Sequence, residues 1–574
     1  MDTTNSHTNS AEYDVVIVGG GPVGLLLAYQ LKRFGVLACV LEQYQKEEQD
    51  QYGRAIALFP RTLEQLHQLD LIEPMLQLGF ACRTSVTYKD GKRILPGRVW
   101  NFMENIKDTT YDFVLVLRQI FTEKILREKL TKVGVEYYQG IECVDFILNE
   151  STSLDGYPVA SKFVEKVTGK GFELKSKYLI GADGGRSFVR RHAGIPFEGD
   201  RSDDRWIRID GLIETNMPLA RSYGAIESKT HGNVLWAPLD HAATRIGFAY
   251  TEEIAAKYPG GVTQEVAEKE ALESMKPFDV RFKEIHWWTL YTIGQKMAKD
   301  FATRDRIILC GDAAHTHSSG AAQGLNTGIH DAVNLGWKLA LQIRGITKPE
   351  ILKTYNDERK LAVNQLIEYD KDISVLMTHK WPKWYEGDPN ADPYIILGEI
   401  FEKARSFNTG LGISYPINAV NQTTAAVLNV VPGSRPPDVE LTMPGTGRKL
   451  SLQDVTPNLA KFWVVVFAGN PVSTKESLLS LRDFLEERDQ SFLTREYISW
   501  ITISAINGYS PYETLGTKPF GDTFFDTTSS AHEKFGFGLE RGGILILRPD
   551  GLVAHGGPIN GQIVEDYFTK LFRN

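Results

Sequence analysis

The patterned part of the chain begins with an unbroken apolar run, Val15-Val16-Ile17-Val18, closed by a cluster of glycines. A run of this kind reads as a strand buried on both faces. Leu25, Leu26, Ala28, Tyr29 and Leu31 then recur at helical spacing, and a second strand is expected over 37–41, ending at Glu42. Strand, helix and strand in so short a stretch make a βαβ unit. Helices are expected over 62–71 and 121–132, and Tyr178-Leu179-Ile180 reads as another buried strand. The pattern changes between 206 and 292. Short stretches at 206–209, 232–239, 244–250 and 284–292 are rich in aromatic and β-branched residues, which predicts a separate, mostly antiparallel sheet. A buried-type strand at 306–310 is followed by a long helix from about 327 to 344. Residues 430–446 carry Pro432, Pro436, Pro437 and Pro444 and read as a linker. Beyond it a second βαβ-like unit begins, with strands at 462–468 and 497–504 around a helix at 474–488, and a late strand at 543–547.

Length and charge narrow the picture. At 574 residues the chain predicts two or three domains. Hydrophobic residues at 42% and charged residues at 24% are ordinary for a globular protein. A net charge of −8 argues against nucleic-acid or anionic-membrane partners, which need a basic surface. No apolar run is long enough to span a membrane, and the polar stretch 1–11 reads as a disordered tail rather than a secretory signal. The four cysteines are scattered, with no Cys-x-x-Cys pair, which fits a reducing, cytoplasmic setting.

Two distant signatures carry the chemistry. In Gly19-Gly20-Gly21-Pro22-Val23-Gly24 the first glycine permits a tight strand-to-helix turn. The second lets backbone approach a pyrophosphate, and the third lets helix and sheet pack closely. The helix N-terminus then offers free N–H groups to the phosphates. Glu42, with Gln43 beside it, stands at the next strand end, where an acid can accept hydrogen bonds from a ribose diol. A glycine-rich turn without a ligand is the plain alternative, and the strand–helix context weighs against it. The second signature is Gly311-Asp312-Ala313-Ala314-His315, followed by Ala322-Gln323-Gly324-Leu325-Asn326. An Asp at a buried strand end can hold a polyol, and the following helix N-terminus favours negative charge at a flavin edge. Together the signatures point to one dinucleotide, FAD, held at both ends. A third segment, Asp183-Gly184-Gly185, also follows a strand. No second strand–GxGxxG–helix unit is present, so NAD(P)H is expected to meet the flavin transiently.

With these motifs the chain resembles the single-component FAD-dependent aromatic hydroxylases, in particular the phenol hydroxylase branch. The resemblance is carried by Gly19 to Gly24, Gly53-Arg54-Ala55, Arg61-Thr62-Leu63-Glu64, Gln119, Asp183-Gly184-Gly185, Tyr291-Thr292-Ile293-Gly294-Gln295 and Gly311-Asp312-Ala313-Ala314-His315-Thr316-His317 onward. It is strong over 12–370 and weaker beyond. It implies a Rossmann-like α/β FAD-binding domain (12–195 and 296–400), an inserted antiparallel substrate sheet (196–295), a connecting segment (401–446) and a thioredoxin-like domain (447–574). That last domain lacks redox cysteines and reads as structural or as forming a homodimer. The resemblance implies NAD(P)H- and O2-dependent hydroxylation of a phenolic or polyketide-like aromatic through a flavin C4a-hydroperoxide. Arg54, Gln119, Asp183 and Asp312 would contact FAD or its pyrophosphate. Tyr291 would sit at the boundary of substrate and flavin, and Tyr291 and Arg54, with His231 and His241, are the candidates to activate or orient the substrate. Trp236 and Trp288 are candidates to line the substrate pocket, against the plainer reading of aromatic core. His315 and His317 read as hydrogen-bonded structure, not as metal ligands. The chain departs from the family where Ile56 replaces an Asp expected to activate the phenol, and at Ser319 and Ala322 near the flavin. These departures keep open other flavin outcomes, such as dearomatisation, epoxidation or dehydrogenation, or a degenerate flavin-binding protein.

Overall fold

The structure is a computed structural model that describes residues 11–46, 55–150, 156–318, 320–488, 496–505 and 520–573. Of the expected polar tail only Ala11 falls within them, and it opens the first strand, Ala11–Val18.

The expected βαβ unit forms the centre of a largely parallel sheet. Ala11–Val18 lies between Gly171–Gly181 and Ala38–Glu42, and Ile307–Leu309 and Glu136–Gln139 extend the sheet on either side, all in parallel. Val15, Val16 and Ile17 are fully buried, each worth about 1.5–3 kcal/mol relative to exposure. The helix Pro22–Arg33 packs on the long helix Gly324–Ile343, where Gln30 Nε2 donates to the Ala332 carbonyl at 3.1 Å. That long helix starts earlier than the apolar pattern predicts, because its first turn is made of Gly324, Leu325 and Asn326. Residues 325–341 are buried all round, the polar ones included.

A second, mixed sheet runs in the order His315–Thr316, Val280–Ala298, Phe197–Thr215, Thr244–Tyr250, Gly232–Pro238, Tyr223–Ser228, Ser85–Lys89, Lys92–Ile94. All neighbours are antiparallel except Tyr223–Ser228 with Ser85–Lys89. The two central strands are far longer than the apolar stretches that predict them, at 19 residues each. Their polar residues alternate or sit at register shifts, such as those flanking Gly211, which hides their length from an apolar count. Strands 85–94 come from earlier in the chain and could not be assigned to this sheet by sequence proximity.

The C-terminal unit has a seven-stranded sheet in which Phe462–Gly469, Ile498–Ser504 and Asp522–Phe525 are parallel, while Gly543–Leu547 and Val553–Gly557 run antiparallel. It shares one hydrophobic core with the first sheet. Trp337 of the long helix meets the Phe462 ring edge-on at 5.5 Å. Among the described residues no helix is long and apolar enough to cross a membrane.

Candidate cofactor and substrate site

The carboxyl ends of the parallel strands converge at one edge, where open α/β sheets bind ligands. Gly19 has φ +114°, and a Cβ there would stand 2.2 Å from the Ala182 carbonyl oxygen. A Cβ on Gly24 would stand 2.1 Å from the Gly19 carbonyl oxygen. Both positions therefore exclude any side chain. Gly21 differs, because a Cβ there would meet nothing within 4 Å. That is the open approach a pyrophosphate requires beside the helix that starts at Pro22. The 183–187 turn and the 311–316 loop close on the same edge. A Cβ on Gly185 would lie 3.1 Å from Thr316 Cγ2, and one on Gly311 would lie 3.0 Å from Val23 Cγ2.

The polar groups at this edge divide into those spent on the protein and those left over. Glu42 is buried and accepts from Gly20 N at 2.7 Å and Tyr44 N at 2.9 Å, one donor per carboxylate oxygen, so each oxygen keeps a lone pair. Gln43 beside it is half-buried. Gln119 opens the helix Gln119–Val133 and donates to Glu123 Oε1 at 2.9 Å. Asp183 accepts from Val189 N at 3.1 Å through Oδ2, while its buried Oδ1 has no hydrogen-bond partner. Burial pushes its carboxyl above the usual range. Asp312 is exposed in the turn Gly311–Ala313. His317 Nε2 is buried without a partner, about a contact distance from where a Cβ on Gly324 would be. Burial also holds the His317 imidazole below its ordinary range, favouring the neutral ring. Two orphaned buried polar atoms, an exposed carboxylate and an uncovered glycine on one strand-end edge fit an extended polar cofactor.

Ala322 sits at φ +54°, a left-handed backbone position that favours glycine, next to the start of the long helix. Gln323 donates to the Asn408 carbonyl at 2.8 Å. Asn326 uses its whole amide on the chain itself. Its Oδ1 accepts from Phe59 N and Thr62 Oγ1, and its Nδ2 donates to the Ala57 and Ala322 carbonyls. Its side chain thus moors the 57–62 segment, and only its backbone remains for a cofactor. Gly324 and Leu325 supply first-turn N–H groups that have no intrahelical acceptor. Arg54 and Ser319 lie outside the described residues.

On the second sheet, strand alternation separates the proposed pocket residues. Trp206 pairs with Tyr291, and both belong to the apolar cluster that contains Ile56, Phe59, Ala321 and, at its margin, Ala322. Ile209 pairs with Trp288, and Trp236 pairs with Ile246, in the cluster on the opposite face under the helix Gln264–Ser274. The expectation that Trp236 and Trp288 line a pocket with Tyr291 is therefore corrected. A period of two sends odd and even positions of one strand to different faces. Trp236 is 1% exposed, with its Nε1 donating to the Ala220 carbonyl at 2.8 Å. On the Tyr291 face lie buried charges that the sequence reading did not single out. Arg245 holds Asp210 through Nε–Oδ1 at 2.6 Å and Nη2–Oδ2 at 2.8 Å, and the Arg208 guanidinium lies 5.8 Å from the Tyr291 ring centre.

The sequence reading also missed the groups that hold the 311–318 loop. Asp331 Oδ2 accepts from Gly311 N at 2.9 Å and pairs with His315 Nε2 at 2.8 Å, so His315 serves hydrogen-bonded structure as expected. Asp370, fully buried, accepts from Ser318 N at 2.7 Å, from Ser318 Oγ at 2.5 Å and from Gln295 Nε2 at 2.8 Å. For Asp331 the available signal was a polar stripe on an otherwise apolar helix, formed by His330, Asp331, Asn334 and Lys338, which fall within about 100° of arc at 3.6 residues per turn.

The family model described as FAD binding domain matches residues 12–370. This chain belongs to that FAD-binding family. Its curated relatives include 3-hydroxybenzoate 4-monooxygenase of Comamonas testosteroni, 27% identical, with 99% of this chain and 96% of the relative covered. Another is the FAD-dependent monooxygenase terD of Aspergillus terreus, 26% identical over 94% of this chain and 93% of the relative. Among solved structures, a ternary complex of aklavinone-11 hydroxylase with FAD and aklavinone superposes with a TM-score of 0.73 at 20% identity, covering 98% of this chain and 99% of that one. At that identity the likeness shows the mixed α/β fold. The enzyme is an FAD-dependent oxidoreductase of the monooxygenase class, and the cradle at the strand ends fits FAD.

Proposed function

We propose that this flavoenzyme uses NAD(P)H and O2 to hydroxylate a phenolic or polyketide-like aromatic, held between the flavin edge and the Tyr291 face of the second sheet. The observation that carries the reading is the shared cluster of Tyr291, Trp206, Ile56, Ala321 and Ala322, which joins the substrate sheet to the loop before the long helix. Bound FAD supplies electron transfer from NAD(P)H and activation of O2.

The chain's own residues bind, orient and exclude water. Gly19, Gly21, Pro22 and Gly24 with the helix N-terminus receive the pyrophosphate. Glu42, with Gln43, takes the adenosine ribose. Asp312 takes the ribityl oxygens, and Asp183, Gln119 and Arg54 support the same cofactor. Gly311 and residues 322–326 shape the flavin-facing loop, through backbone in the case of Asn326. Tyr291 orients a phenolic oxygen by its hydroxyl, and the apolar wall excludes the water that would release peroxide instead. Ile56 is 5% exposed in that wall and carries no proton-accepting group, so phenol activation falls to other residues. The same residue favours a second reading, in which the aromatic is dearomatised, epoxidised or dehydrogenated. The C-terminal unit reads as a thioredoxin-like domain. Its central strand order 498–504, 462–469, 543–547, 553–557, with the last two antiparallel and a closing helix Gly561–Leu571, supports this. A homodimer and a cytoplasmic setting complete the proposal.

The test is NAD(P)H oxidation by the holoenzyme against a panel of phenols under 18O2. One labelled oxygen in the product, with consumption stimulated by a phenol, is expected. Peroxide release across the panel without oxygenated product would overturn hydroxylation and, of the second reading, leave dehydrogenation standing.

A further inference from the structure

The 311–315 loop carries the exposed Asp312 out of the strand Ile307–Leu309, and its position is held from behind. Asp331 accepts from Gly311 N and pairs with His315 through Oδ2, as described above. Its Oδ1 accepts from Arg359 Nε at 2.6 Å. Arg359 also donates from Nη2 to the carbonyl of Thr327, in the first turns of the helix that faces the flavin, at 3.2 Å, and from Nη1 to Tyr415 Oη at 2.7 Å. One guanidinium therefore grips the flavin-side helix at Thr327 and Asp331, and it reaches the loop through Asp331.

The residue before it, Glu358, is held by the C-terminal unit. Arg548 donates to Glu358 Oε1 at 2.7 Å and Oε2 at 3.0 Å, a bidentate pair. Lys338 Nζ adds a contact to Oε2 at 2.7 Å, and Asn334 one at 2.8 Å. Arg548 is itself aligned by Asp550, at 2.9 and 2.7 Å. Asp550 in turn accepts from Trp337 Nε1 at 3.1 Å, and its carbonyl accepts from Arg61 Nη2 at 2.7 Å. Asp331, Lys338, Glu358, Arg359 and Arg548 are all fully buried, and with Asp550 they make three negative and three positive charges. Apolar side chains of similar volume would stabilise such a region as well or better. What a bidentate ionic network adds is a single permitted geometry.

We propose that the C-terminal unit sets the affinity for FAD by a buried relay, in which Arg548 fixes Glu358, the same helix turn fixes Arg359, and Arg359 with Asp331 positions the Gly311–His315 loop. This rests on the FAD-binding assignment. Arg548, Glu358, Arg359 and Asp331 are positioning residues. None is asked to touch the cofactor.

The test titrates FAD into flavin-stripped full-length protein and follows the quenching of flavin fluorescence, with thermal unfolding measured in parallel. Arg548→Met and Asp331→Asn, at opposite ends of the relay, are each expected to raise the FAD Kd at least fivefold. Arg548→Lys keeps the charge but not the fork and is expected to lie between them and the wild type. The control is Leu545→Ala, in the C-terminal core, which is expected to lower the Tm while leaving the Kd within twofold of wild type. If Arg548→Met does not fold, Asn421→Ala replaces it, removing a 3.0 Å acceptor of Arg548 and a 3.0 Å donor to Glu358, with the same fivefold threshold. A rise below fivefold in the Arg548 or Asn421 variant, or an equal rise in Leu545→Ala, overturns the relay. Failure of the wild-type protein to bind FAD would instead overturn the FAD assignment, and the relay with it.

Discussion

At the scale of single residues, Asp312 and Asp331 show how two carboxylates near one loop acquire different work. Asp331 has its oxygens filled by Gly311, His315 and Arg359, and it is buried. Asp312 faces outward and is free to meet a polyol. Asp312→Ala is therefore expected to release FAD. Loss of a charge-assisted hydrogen bond is worth about 1.5–3 kcal/mol, or roughly ten- to a hundredfold in Kd. Flavin content per mole of purified protein measures it, and an unchanged ratio would remove Asp312 from the cofactor site. Tyr291→Phe should keep FAD and lower the product formed per NAD(P)H consumed. Identical coupling in the variant would count against a role for the hydroxyl. Ala322 sits on a left-handed backbone where glycine would be relaxed, a steric cost that is visible only in the folded chain.

At the scale of elements, the βαβ unit and the glycine turn were legible because each depends on neighbours in the chain. A continuous apolar run, a positive-φ glycine and a helix N-terminus are local facts. The second sheet was legible in kind but not in extent. Its aromatic stretches marked strands, yet pairing across it brings in residues 85–94 and extends two strands to 19 residues. Which face a residue occupies depends on register, and register is set between strands. Trp236 and Tyr291 both look like pocket aromatics in the sequence, and pairing sends them to opposite faces. The structure thus predicts that Trp236→Phe costs stability, about 1–3 kcal/mol from lost packing and the broken bond to Ala220, with substrate preference unchanged. Denaturant unfolding together with relative kcat/KM on two aromatic substrates checks this. An altered preference with unaltered stability would return Trp236 to the pocket.

At the scale of the whole molecule, burial of titratable groups couples stability to pH. His330 is buried, and desolvation together with the nearby Arg359 and Arg61 cations holds it well below its ordinary range. His317 is likewise lowered by burial. The unfolded chain takes up these protons first as pH falls through about 6.5, so the stability that the neutral rings contribute is present above that pH and lost below it. Asp331 behaves in the same direction at lower pH. Burial raises its carboxyl, but Arg359 and His315 outweigh that and hold it at about 2. Its contribution is present above about pH 4 and disappears between there and about pH 2. The Tm is therefore expected to fall as pH drops from 7 to 5, and to fall again below 4. His330→Gln should flatten the upper limb. A Tm independent of pH between 7 and 5 would contradict neutral burial of these rings.

What the sequence determined by itself is the cofactor class and the order of the segments proposed to bind it. The glycine turn, Glu42, Asp183 and Gly311-Asp312 each signal through their immediate neighbours. It also marked the departures at Ile56 and Ala322. Only the tertiary structure decided which of these groups are free to act. It spent the amide of Asn326 on the 57–62 segment, turned Trp236 and Trp288 away from Tyr291, and buried two ion pairs, Asp331 with Arg359 and Glu358 with Arg548, that meet on one helix turn. Those outcomes depend on partners tens to hundreds of residues away, and no local pattern encodes which distant charge or strand a side chain will meet.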